Sequence, residues 1–234
     1  MGPSKQGRRS IKRKVLTLLK SKDFDLALKE MRRLPPLSVI NPLFSFLYHK
    51  DEAIQWAAVT AMGAMVGKLA DEDMESARVI MRRLMWNLND ESGGIGWGSP
   101  EAIGEIMAGH EGLAKEYAHI LLSYTREDGN YLENEGLQRG VLWGIGRLSQ
   151  VRPELVKDAA AHLMPYMGSP DAGVRGHAAW VMGLLGVEEA RARLELLAGD
   201  NAEFKMMQDR QVVVRRINDL AKEALERLSS TGSV

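Results

Sequence analysis

One pattern recurs four times at intervals of about forty residues, and it limits the fold more than any other feature of the chain. Each copy opens on a short polar residue (Asp51, Ser92, Asn134 or Asp171). An apolar residue follows three positions later (Ile54, Ile95, Leu137, Val174), and each copy closes on a glycine (Gly63, Gly104, Gly146, Gly183). The closing glycines lie 41, 42 and 37 residues apart. Small residues in the middle, Ala57 and Ala58 or Ala178 and Ala179, leave room for a neighbouring helix to come close. A period of this length signals a unit of one helix pair that cannot bury its apolar face alone and must stack on copies of itself.

The apolar spacing predicts such pairs along most of the chain. First helices are expected over residues 37–48, 73–88, 113–124, 154–167 and 188–197, and second helices over 52–68, 99–107, 135–149, 172–185 and 212–228. Two short amphipathic helices precede them, over residues 11–20 and 24–34, with Asp23 placed to cap the second and Pro35-Pro36 to end it. The expected fold is therefore all-α, a right-handed α-solenoid of about five helix pairs. Its expected division is a basic helical leader over residues 1–34, the array over 35–228 and a tail over 229–234. No stretch of 18 apolar residues occurs, and the basic N-terminus has no signal-type apolar run behind it. Gly2 is followed by Pro3, with Gln6 where a myristoylation signal needs serine or threonine. Cysteine is absent, which excludes disulfides, thiol nucleophiles and thiolate metal sites and agrees with a cytoplasmic location.

Period, capping residue and small-residue helix together resemble the HEAT repeat over roughly residues 35–228. The last full unit is similar to the short variant of the phycobilisome-lyase-like HEAT family, matching it at Asp171, Val174, Arg175, Ala178, Ala179 and Gly183. The resemblance implies a solenoid whose second helices line a concave face. It implies no single activity, because scaffolds, adaptors, lyases and a glycosylase share such repeats.

Departures from the pattern are where chemistry is expected. The second copy has Gly96 where the last has Arg175, and Ser99-Pro100 where a small pair is expected. Ser99 as N-cap and Pro100 as first helical residue would start this helix about two turns late, behind a loop holding Gly93, Gly94, Gly96 and Gly98. Such a loop can cradle phosphate, but Glu101 and Glu105 follow at once and would repel an anion. The glycines then serve either to tuck Trp97 into the core or to shape a surface pocket in which Trp97, Glu101 and Glu105 meet a partner. Trp143 and Trp180 share one position in consecutive copies, so they either line the binding face or fill the core between repeats. Arg139 lies one turn before Trp143 and can share its face. The binding candidates are thus Trp97, Glu101, Glu105, Arg139, Trp143 and Trp180.

No catalytic or metal-binding motif accompanies them. The five histidines show no H-x-x-x-H or H-E-x-x-H spacing, and no serine stands in G-x-S-x-G. Carboxylate pairs such as Glu101/Glu105 and Glu133/Glu135 could bind a metal or act as acid and base, but on solvent-facing helices such pairs are far more often solubilising charge, and no cofactor or metal is expected. Charge is zoned: residues 1–33 carry +8, residues 34–150 carry −7 and residues 151–234 carry −1. An acidic middle suits a protein or peptide partner of basic character better than nucleic acid, whose affinity comes mainly from phosphate contacts. No membrane contact is expected, and the sequence leaves the oligomeric state open. The expected function is a non-enzymatic scaffold. The alternative is an enzyme acting on a nucleobase or small molecule with Glu101 as its working carboxylate. That arrangement is similar in kind to the HEAT-like alkylpurine DNA glycosylases, which use tryptophans, a carboxylate and an arginine from the next repeat. The family uses aspartate where this chain has Glu101, and its basic surface is missing here.

Overall fold

A computed structural model describes residues 5–89 and 96–231. The chain falls into two compact units, Met1–Leu113 and Ala114–Val234. The regular secondary structure of the described residues is helical apart from one two-stranded hairpin. No helix among them is long and apolar enough to cross a membrane.

In the first unit, α1 (Lys5–Leu19) and α2 (Phe24–Arg32) lead into α3 (Pro36–Phe44), α4 (Glu52–Glu72), α5 (Met74–Trp86) and α6 (Ser99–Gly109). Asp23 accepts the Leu26 amide at 2.9 Å and so starts α2. Asp51 caps α4 through the Ala53 amide at 3.1 Å, and Asp73 caps α5 through the Ser76 amide at 3.1 Å. The leader helices pack on the repeat region, α1 against α3 and α2 against α4. The 21-residue α4 is central to this unit, burying Ala58, Met62, Met65 and Val66 against α3, α5 and α6. A Cβ on Gly63 would stand 2.7 Å from Glu105 Cγ, so the missing side chain is what lets α6 reach α4.

The second unit holds α7 (Glu111–Ser123, which begins just before the division), α8 (Glu135–Ser149), α9 (Ala160–Leu163), α10 (Ala172–Leu185) and α11 (Arg191–Leu197). It ends with β1 (Glu203–Gln208), β2 (Gln211–Arg216) and α12 (Ile217–Thr231). Asn134 and Asp171 cap α8 and α10 through the Leu137 and Val174 amides, at 3.2 and 2.8 Å. Helix α10 packs between α8 and α12. The Trp180 ring lies on Gly146 of α8, and Ala224 of α12 lies on Gly183 of α10, in each case where a Cβ would collide.

Two stretches differ from the sequence-based expectation. The helix expected over residues 154–167 is broken into 3-10 turns at Pro153–Leu155, Lys157–Ala159 and Met164–Gly168 around the four-residue α9. Pro165 has no N–H to donate and its ring crowds the preceding turn, which disfavours an α-helix at that point. The helix expected from residue 212 starts only at Ile217, because residues 212–216 belong to β2. There β1 and β2 pair antiparallel, Phe204 with Arg215 and Met206 with Val213. Their two-residue turn puts Asp209 and Arg210 at φ +50° and +62°, the left-handed geometry of a type I′ hairpin.

Candidate functional site

The six candidates fall into two sets. Trp97, Glu101 and Glu105 surround the start of α6 in the first unit, while Arg139, Trp143 and Trp180 lie on α8 and α10 in the second.

The turn before α6 is held from two sides. Gly96 rests so close to the end of α5 that an added Cβ would stand 2.5 Å from the Asn87 carbonyl oxygen. Gly98 takes φ +75°, and a Cβ there would stand 2.5 Å from the Leu47 carbonyl oxygen. Only glycine meets both demands at residue 98. Gly98, not Ser99, is the N-cap; Ser99 is the first helical residue, Pro100 the second, and both are buried. The expectation is thus corrected by one position, because the left-handed turn already supplies the exit from helical geometry. Trp97 is 38% exposed, so the turn does not tuck it into the core. The loop expectation at Gly93 and Gly94 lies outside the described residues.

One turn into α6, Glu101 is partly covered as a residue, yet its Oε2 is enclosed and has no hydrogen-bond partner. Burial pushes its carboxyl up to about 7, against a smaller opposing effect of a backbone hydrogen bond. Glu105, four residues on, is half-buried against Gly63.

In the second unit the candidates are largely engaged by the fold. Arg139 grips Asp171 with both Nε, at 2.8 Å, and Nη2. Desolvation raises the Asp171 carboxyl, but the Arg139 hydrogen bond and the Val174 amide outweigh it and leave the group below its usual range. Of the two roles open to Trp143, the structure has the buried one, which corrects its place among the binding candidates: it is 5% exposed, and its indole Nε1 donates to the Met207 carbonyl at 2.9 Å. Strand β1 supplies that acceptor. Phe204 of the same strand lies on Gly176 and 5.1 Å from the buried His177 ring. Trp180 is half-buried on Gly146.

No family model matches the chain. An uncharacterized protein of Archaeoglobus fulgidus is 33% identical over 121 residues, 50% of this chain and 55% of its own. The chain therefore spans about half the length of that relative. Among solved structures, a designed armadillo repeat protein in complex with the peptide (KR)4 superposes with a TM-score of 0.59 at 15% identity, covering 97% of this chain and 95% of its own. A second designed armadillo repeat protein gives 0.58 at 16% identity, with the same coverage. The chain has the armadillo/HEAT-type helical-repeat fold. Nothing in these likenesses singles out the phycobilisome-lyase-like variant.

The repeat frame explains the state of Glu101. Counted from the opening residue of each repeat, Glu101, Trp143 and Trp180 all stand nine positions on. The second-unit repeats fill that place with buried or half-buried indoles. The second copy puts a carboxylate there, and loss of water raises its pKa.

A further concave feature lies wholly in the second unit. A cleft of about 720 Å³ opens between the α7–α8 connection and the turns before α10. Tyr131 and Tyr166 line it, with Glu127, Glu133 and Glu135 around them. Gln138 donates to the Tyr131 hydroxyl at 3.2 Å and to the Leu132 carbonyl at 2.8 Å, while Tyr166 donates to the Thr125 carbonyl at 3.1 Å. Sequence reasoning missed both tyrosines. Tyr131 stands between expected helices, and Tyr166 falls in the helix expected over residues 154–167, which the structure breaks into 3-10 turns that turn the ring toward the cleft. Only the Glu133/Glu135 pair was visible, and it read as ordinary surface charge.

Proposed function

We propose that this repeat protein is a non-enzymatic scaffold that captures a protein or peptide of basic character on the concave side of its second helices, with Trp97 as a principal contact. The observation that carries the reading is Trp97 itself, a large aromatic side chain 38% exposed on a turn braced by Gly96 and Gly98. A rigidly held, partly exposed tryptophan is the kind of anchor that dominates protein interfaces. The basic character of the partner is argued from the −7 charge of residues 34–150. The designed armadillo protein in complex with the peptide (KR)4 supports the same reading by fold analogy. Cytoplasmic residence belongs to this proposal and rests on the cysteine-free sequence.

Trp97→Ala is the test. Truncating a partly exposed anchor should leave the melting temperature close to wild type and weaken binding of a Lys/Arg peptide by about tenfold or more, by calorimetry. A variant that loses several kcal/mol of stability, as a buried tryptophan would at about 3–5 kcal/mol, would show that Trp97 serves packing instead.

One observation favours a second reading. An enclosed carboxyl with an unpartnered oxygen, titrating near neutral pH, is suited to acid–base chemistry on a nucleobase or small molecule. Glu101→Gln separates the readings. An enzyme would bind its substrate and lose turnover, whereas a scaffold has no turnover to lose.

A further inference from the structure

The tyrosine-walled cleft of the second unit has a charge balance that selects its ligand. Its one arginine, Arg126, is held bidentate by Asp128 at 2.9 and 2.7 Å, so neither charge is available to a visitor. Glu127, Glu133 and Glu135 line the same space, and only Glu135 feels a nearby arginine, Arg139, which itself is held by Asp171. All three are exposed. His162 is the other basic group on the wall. An anion entering here would meet three exposed carboxylates, of which only Glu135 lies in the field of a cation, Arg139, whereas a cation would meet partners.

The layout also decides between a metal ion and an extended ligand. Among the described residues, no three acidic or histidine side chains converge closely enough to hold a metal ion. The negative charge is spread along the cleft, which suits several cationic groups carried on one chain. Tyr131 is 39% exposed with its hydroxyl tethered by Gln138, so part of a fixed aromatic ring is open to the cleft. Aromatic faces attract ammonium and guanidinium groups, and carboxylates beside them add to that attraction. Pro165 and Pro170 add apolar wall without backbone donors that would repel a cation. A space of about 720 Å³ is of the size that takes a ligand of several residues rather than one side chain.

We propose that this cleft seats a Lys/Arg-bearing segment of a basic polypeptide partner, with Tyr131 stacking on one cationic group and Glu127, Glu133 and Glu135 pairing with others. The inference rests on the scaffold reading above and names a second place on the chain where such a partner is held.

The full chain is titrated with an alternating Lys-Arg octapeptide at low ionic strength, alongside three variants. Glu133→Gln combined with Glu135→Gln should weaken binding by about tenfold, and Tyr131→Ala by about threefold to tenfold. Glu195→Gln combined with Glu226→Gln changes the net charge equally at exposed sites outside the cleft and should leave affinity within about twofold. All four glutamates are exposed, so these variants keep the fold, and a melting curve for each verifies it. If the cleft variants bind like wild type while Trp97→Ala loses the peptide, the cleft assignment is overturned and the scaffold reading stands. Equal losses in the cleft pair and the control pair overturn it as well, since attraction would then be to charge at large. No binding by wild-type protein overturns both.

Discussion

Protonation of Glu101 is coupled to folding. Its carboxyl titrates near 7 in the fold against 4.5 for an ordinary glutamate. Below about pH 4.5 both folded and unfolded chains hold the proton, and the residue carries no penalty. As pH rises toward 7 the unfolded chain releases the proton first, so stability falls; above the folded pKa the loss is complete. Its size is about 3 kcal/mol. Glu101→Gln should therefore melt increasingly above wild type as pH rises, the gap widening by about 5–10 °C between pH 4.5 and 8. A gap that does not change with pH would refute the burial of this carboxyl. Asp171 illustrates a different economy, since one carboxylate both caps α10 and holds Arg139 of α8. Asp171→Ala should cost about 1–2 kcal/mol in urea denaturation. Arg139→Ala should cost less, because the arginine is half exposed and the cap survives its loss.

At the scale of elements, the sequence was most legible where a local chemical signal marks a boundary. Asp23, Asp51, Asn134 and Asp171 each cap the helix expected of them. The hairpin was not legible. Val212, Val213, Ile217, Leu220, Ala221, Ala224 and Leu228 fit one helical face as well as a strand followed by a helix. The turn gave no warning either, because Asp209-Arg210 takes left-handed geometry without a glycine. That the sequence left Trp143 undecided between binding face and core follows from the same omission. Periodicity shows which side of α8 a residue occupies, but not that a strand 64 residues later will accept its N–H. For Trp97, of the two readings left open, core or surface pocket, the structure has the exposed one, on a turn braced by Asn87 and the distant Leu47. Trp143→Phe removes the indole N–H and part of the ring. It should cost about 1–3 kcal/mol and speed hydrogen exchange in β1 and β2 more than in α4. Unchanged exchange in the hairpin would show that the Met207 contact does not hold it.

At the scale of the whole chain, formal charge sums to zero at pH 7 while residues 1–33 and 34–150 carry +8 and −7. Such zoning gives copies of the chain little mutual repulsion and an opportunity for the basic stretch of one copy to attract the acidic stretch of another. Light scattering near neutral pH should show association that added salt suppresses, and association indifferent to salt would refute an electrostatic origin. The bond between the buried Trp143 indole and Met207 of β1 has a consequence for the order in which the protein can be made. Synthesis supplies α8 first and Met207 only 64 residues later, an interval of roughly 3–13 s at usual translation rates. During that interval the indole lacks its acceptor, whatever the first unit has already achieved. Nascent chains halted before residue 203 should leave Trp143 open to a soluble fluorescence quencher, and chains released at full length should shield it.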